Sequence, residues 1–157
     1  MDEAMTADRL FQVALELEET GQIFYEALAA STGNRQVAAL ARRLAQQELD
    51  HFHKFERMRR QAAQAGPAEP MSPDELVHVQ QLVREKVIPS EAGVRRIAAT
   101  AKLGEALEVA IRMEEDSVTF YSAMLTAEGV DADAVRKIID EEKAHVRTLS
   151  DARVLLK

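Results

Sequence analysis

An all-α fold, a bundle of four long helices arranged as two hairpins, is predicted by three features of the sequence. Helix-favouring Ala, Leu, Glu, Gln and Arg abound, while aromatic residues make up only 4% and Trp is absent. Glycine and proline are sparse, six and four in 157 residues, and they fall between long periodic stretches. Each long stretch carries an apolar stripe at alternating three- and four-residue spacing, the mark of a bundle seam.

The first stretch runs from about Thr6 to Thr32 and is expected to end at a Gly33-Asn34 C-cap. The second runs from about Arg35 to Ala65, ending at Gly66-Pro67. The third covers roughly Leu103 to Glu128 and stops at Gly129; the fourth follows Asp131, an N-cap, and runs nearly to the C-terminus. Short links between one and two, and between three and four, make antiparallel neighbours. Residues 66–102 form a long crossover with helices of its own. Ser72-Pro73-Asp74-Glu75 combines a capping box with proline at the first helical position, predicting a helix to Lys86. Pro89 then breaks the chain and Ser90 caps another helix.

The length suits one domain over residues 1–157, able to bury roughly 70% of the surface of its unfolded chain. Hydrophobic residues at 46% and charged residues at 30% fit a globular chain rather than a disordered one. No cysteine is present, which excludes disulfides, thiolate zinc sites and iron–sulfur clusters. The acidic N-terminus lacks a secretion-signal pattern, and no apolar run is long enough to span a membrane, so a cytoplasmic location is expected. A net charge of −7 argues against nucleic acid as partner, although four carboxylates neutralised on metal would reduce it to −3.

Charged residues stand where the seams call for apolar ones. The first helix gives Phe11, Ala14, Glu18, Gly21, Tyr25 and Leu28; the second Val37, Ala41, Leu44, Glu48, His51, Phe55 and Met58. The third gives Leu103, Leu107, Ala110, Glu114, Ser117, Tyr121 and Met124; the fourth Val135, Ile138, Glu142, His145, Leu149 and Ala152. A lone buried carboxylate costs several kcal/mol, and four at one level would repel one another. Two divalent cations neutralise four carboxylates. Glu48 with His51, and Glu142 with His145, stand three residues apart on one helix face and can approach one ion each. One glutamate from each of two helices, plus Glu-x-x-His from each of the other two, is the known composition of a carboxylate-bridged dimetal site. A single Glu-x-x-His is a weak signal; two on matching seams are a strong one.

The neighbouring charges read differently. Glu16, Glu19, Glu115 and Glu141 lie about 100° or more off the seam and are expected at the surface. His53 points to another face than His51, and His78 lies in the crossover without a partner pattern. Tyr25 and Tyr121 each stand seven residues after a seam glutamate. They are either plain core residues or donors to a ligand carboxylate on the opposite helix. Asp50 and Asp140 are candidates for holding histidine ring nitrogens.

The halves repeat. Ala14, Glu18, Phe24 and Tyr25 match Ala110, Glu114, Phe120 and Tyr121 at an offset of 96, and Glu48 and His51 match Glu142 and His145 at 94. This pattern, with Gly21, resembles the rubrerythrin family of the ferritin-like superfamily over all four long helices. The resemblance implies a ferritin-like four-helix bundle with two iron ions per chain, ligated by Glu18, Glu48, Glu114, Glu142, His51 and His145. It also implies reduction of hydrogen peroxide. Manganese or zinc are alternative occupants. Two departures matter. Typical members carry a four-cysteine rubredoxin domain, absent from this sequence, so a separate rubredoxin-like donor is implied. Typical members also have a further glutamate three residues after the ligand of the third helix; here that residue is Ser117.

Three readings follow. The first is a di-iron oxidoreductase, expected as a homodimer, reducing peroxide or oxygen with external electrons. The second is ferroxidase and iron handling, and the third a bundle that metal merely holds together.

Overall fold

The computed structural model describes residues 6–66, 71–85 and 90–156. Those residues form six helices and no strand: α1 (Ala7–Ser31), α2 (Arg35–Gln64), α3 (Pro73–Glu85), α4 (Glu91–Thr100), α5 (Leu103–Met124) and α6 (Ala132–Leu155). The four long ones are α1, α2, α5 and α6. Each pairs antiparallel with its sequence neighbour, and the hairpins meet where α1 packs on α5 and α2 on α6. No helix among the described residues is long and apolar enough to cross a membrane.

Local chemistry fixes the ends. Thr6 accepts from the Arg9 amide at the start of α1, and Asp131 Oδ1 accepts from the Ala134 amide at the start of α6. At α3 the expected capping box closes both ways: Ser72 Oγ accepts from Glu75 N, and Glu75 Oε2 accepts from Ser72 N. Ser90 caps α4 through the Gly93 amide. The expected breaks at Pro67 and Pro89 lie outside the described residues.

Two expected boundaries are corrected. Gly33-Asn34 is not a left-handed C-cap of α1, because Thr32 ends that helix in extended backbone. Asn34 instead caps the next helix, its Oδ1 accepting from the amides of Gln36 and Val37. α5 ends at Met124 rather than Glu128. Its last amide bonds tighten to a three-residue reach, Leu125 N to Ser122 O and Ala127 N to Met124 O, before Gly129 turns at φ 87°. Ala127 is still buried, so the apolar pattern runs on past the end of the helix.

The apolar core falls into two clusters. One gathers Leu10, Phe11, Phe55, Phe120, Tyr121, Met124 and Ile138, and α3 covers it with Val79. The other gathers Phe24, Tyr25, Leu28, Leu44, Leu107 and Leu149, and α4 covers it with Val94 and Ala98. The seam glutamates occupy the level between them, as the order Phe11, Glu18, Phe24 along α1 shows.

Candidate metal centre

The seam glutamates Glu18, Glu48, Glu114 and Glu142, with His51 and His145, are all buried at that middle level. They form two overlapping groups. Glu18, Glu48, His51 and Glu142 offer ligand atoms within 4.8 Å of one another, and so do Glu48, Glu114, Glu142 and His145. Glu48 and Glu142 belong to both groups, whereas Glu18 and His51 belong only to the first and Glu114 and His145 only to the second.

Both histidines turn Nδ1 inward. His51 Nδ1 lies 2.9 Å from Glu142 Oε1 and 3.5 Å from Glu18 Oε1. His145 Nδ1 lies 3.1 Å from Glu142 Oε2 and 3.4 Å from both Glu48 Oε1 and Glu114 Oε1. The two rings stack with centroids 5.9 Å apart. Glu18 Oε2 and Glu48 Oε1 are buried with no hydrogen-bond partner. Such orphaned acceptors are costly in a folded core. A cation set among them would satisfy both, and oxygen-rich donors with two imidazoles suit iron or manganese better than tetrahedral zinc. The residues present therefore fit a pair of divalent ions.

Both tyrosines are buried and donate to glutamates of the opposite hairpin. Tyr25 donates to Glu114 Oε1 at 2.5 Å and Tyr121 to Glu18 Oε1 at 2.6 Å, each crossing between α1 and α5. Burial, reinforced by the neighbouring glutamates, holds both phenols well above their ordinary pKa, so they stay protonated donors.

Charge is distributed unevenly. Burial and then the charge of Glu142 raise Glu18 well above an ordinary carboxyl; burial and then Glu114 do the same to Glu48. Glu114 is pushed up to about 8 by burial and Glu142. Burial also pushes Glu142 upward, but hydrogen bonds with Glu114, His145 and His51 outweigh it and hold the carboxylate well below its ordinary range. Burial works against protonating the imidazoles, yet carboxylate contacts win, taking His51 to about 9 and His145 to about 11. Protons thus stand in for cations around a carboxylate cluster.

Of the other expected residues, Glu16, Glu19, Glu115, His53 and His78 are exposed. Two expectations are corrected. Glu141 is no mere surface charge, since its Oε2 lies 2.5 Å from His51 Nε2 while the side chain remains 48% exposed. Asp50 and Asp140 do not hold the ring nitrogens. Both are exposed, and Asp50 Oδ1 instead accepts from Gln46 one turn back on its own helix. Gly21 gains a role that its seam position alone does not reveal. A Cβ there would meet Glu48 Oε2 at 3.0 Å, so the missing side chain is the space Glu48 uses. Ser117, its repeat counterpart, is buried and donates to the Met113 carbonyl at 3.0 Å.

Fold and site together define a ferritin-like helical bundle with a carboxylate–histidine cluster. The rubrerythrin family model matches residues 10–153, and the chain belongs to that family. A solved ferritin-like diiron-carboxylate protein from Thermotoga maritima is similar at TM-score 0.72 and 28% identity, over 100% of both chains. No curated protein matches.

Proposed function

We propose that the protein is a non-haem di-iron oxidoreductase that reduces hydrogen peroxide, or oxygen, with electrons from a separate donor protein. The observation that carries this is the convergence of four buried carboxylates and two inward Nδ1 atoms around the orphaned oxygens of Glu18 and Glu48. Two ferrous ions held there would supply together the two electrons that cleave the O–O bond of hydrogen peroxide, or that reduce oxygen as far as peroxide. Glu48 and Glu142 would each serve both ions, with Glu18 and His51 on one side and Glu114 and His145 on the other. Tyr25 and Tyr121 fix the orientation of Glu114 and Glu18 through their hydroxyls. The two apolar clusters flank the polar level and limit its access to bulk water. Turning one peroxide into two waters consumes two electrons and two protons. As the rubrerythrin family membership suggests, the electrons would come from a rubredoxin-like donor. We place the protein, as a homodimer, in the cytoplasm.

Ser117 favours a second reading, ferrous oxidation for iron handling. Its hydroxyl is committed to the Met113 carbonyl and offers no carboxylate where typical family members have one. Anaerobic loading with ferrous iron, followed by mixing with peroxide or with oxygen, separates the two readings. Oxidation of two irons per chain, much faster with peroxide than with oxygen, is expected. Slow oxidation by peroxide despite bound iron would move the function to iron handling.

A further inference from the structure

The internal repeat makes the two ion positions nearly equivalent. Glu48 and Glu142 are common to both groups. Each outer glutamate receives one tyrosine hydroxyl, at 2.6 Å for Glu18 and 2.5 Å for Glu114. Each histidine turns Nδ1 to the carboxylates. The equivalence breaks behind the histidines. His51 Nε2 meets the Glu141 carboxylate, whereas the contacts described for His145 all involve Nδ1. Moving back by the repeat offset of 94 from Glu141 gives Gln47, a neutral amide.

This difference bears on metal affinity. Where His51 Nε2 donates to the Glu141 carboxylate, Nδ1 is left to face the metal position. A charge-assisted bond on the outer nitrogen fixes the ring and makes its other nitrogen a stronger donor. Gln47, at the matching position of the repeat, carries no charge. We propose that Glu141 is a positioning residue acting through His51, making the Glu18–His51 position bind its metal ion more tightly than the Glu114–His145 position, so that the two fill in order. The proposal rests on the dimetal reading of the site. Lys54 Nζ lies 3.9 Å from Glu141 Oε1, and both side chains are about half exposed, so a simple surface ion pair is the competing role.

Cobalt(II) titration of the full chain, followed by calorimetry and visible absorption, distinguishes these roles. The unmodified protein should show two resolved binding steps. His51→Ala should remove the tighter and His145→Ala the weaker. Glu141→Gln should weaken the tighter step by about 10- to 100-fold and shift its cobalt absorption, leaving the second step in place. Glu141→Asp should recover part of the loss. Lys54→Ala, which breaks only the surface pair, should change neither step. Equal steps in the unmodified protein, or steps insensitive to Glu141→Gln, would overturn the proposal while leaving the dimetal site standing. Failure to bind any cobalt would overturn both.

Discussion

At position 21 the helix backbone of α1 passes so close to Glu48 that a single methyl group changes the site. Glu48 would have to yield by a few tenths of an ångström to an alanine there. Alanine also favours the helix by roughly 1 kcal/mol over glycine, which offsets the crowding in the metal-free protein. Gly21→Ala should therefore leave metal-free stability within about 1 kcal/mol of the parent while weakening metal binding about tenfold, measured by calorimetry. A large loss of stability with unchanged affinity would contradict the role given to Gly21. The tyrosines act at the same scale. Tyr25→Phe strips Glu114 Oε1 of its phenolic donor, and Tyr121→Phe does so for Glu18 Oε1. Each should lower metal affinity by about tenfold or more, with the same helical content by circular dichroism. The ligand-type residues are legible in the sequence because polarity interrupts an apolar stripe. Glu141 is not, because its contact reaches from α6 to a ring on α2, and periodicity within one helix cannot register that. The Glu141-Glu142 doublet set against Gln47-Glu48 in the repeat is the signal that could have found it.

Helix ends carry the next level of organisation. Asn34 holds two amides at the head of α2, the helix that brings in Glu48 and His51. Asn34→Ala should cost about 1 kcal/mol in urea unfolding and leave metal stoichiometry unchanged, since the cap lies more than three turns from Glu48. Loss of metal with intact stability would show instead that the cap is coupled to the site. The crossover helices α3 and α4 are legible from their caps, and each lies over one apolar cluster. The end of α5 is not, for a physical reason. Burial of Ala127 continues the apolar rhythm through a segment whose backbone has already tightened into turns. Sequence periodicity reports which face is buried, not whether the hydrogen bonds remain four residues apart.

For the molecule as a whole, the buried cluster links stability to pH and to metal. In the metal-free protein Glu114 titrates near 8 instead of an ordinary 4.5, so its stabilising contribution is complete below about 4.5 and lost as pH rises through about 8. His51 and His145, raised from 6.5 to about 9 and about 11, act in the same direction at higher pH. Glu142, held low, contributes above 4.5 and loses that only in acid. The metal-free melting temperature should therefore fall as pH rises from about 5 to 9. Metal binding displaces these protons, so the stabilisation by added manganese should grow over the same range. Calorimetric melting with and without a chelator tests this; a metal-free melting temperature that climbs with pH would contradict the assignment.

The central claim, that one buried cluster holds two metal ions per chain, meets its most direct test in stoichiometry. Anaerobic titration with ferrous iron should saturate at two ions per chain. Glu48→Ala combined with Glu142→Ala removes the two glutamates common to both groups and should abolish binding in a protein that remains helical. Two irons still bound by that double variant would place the metal elsewhere and contradict the claim.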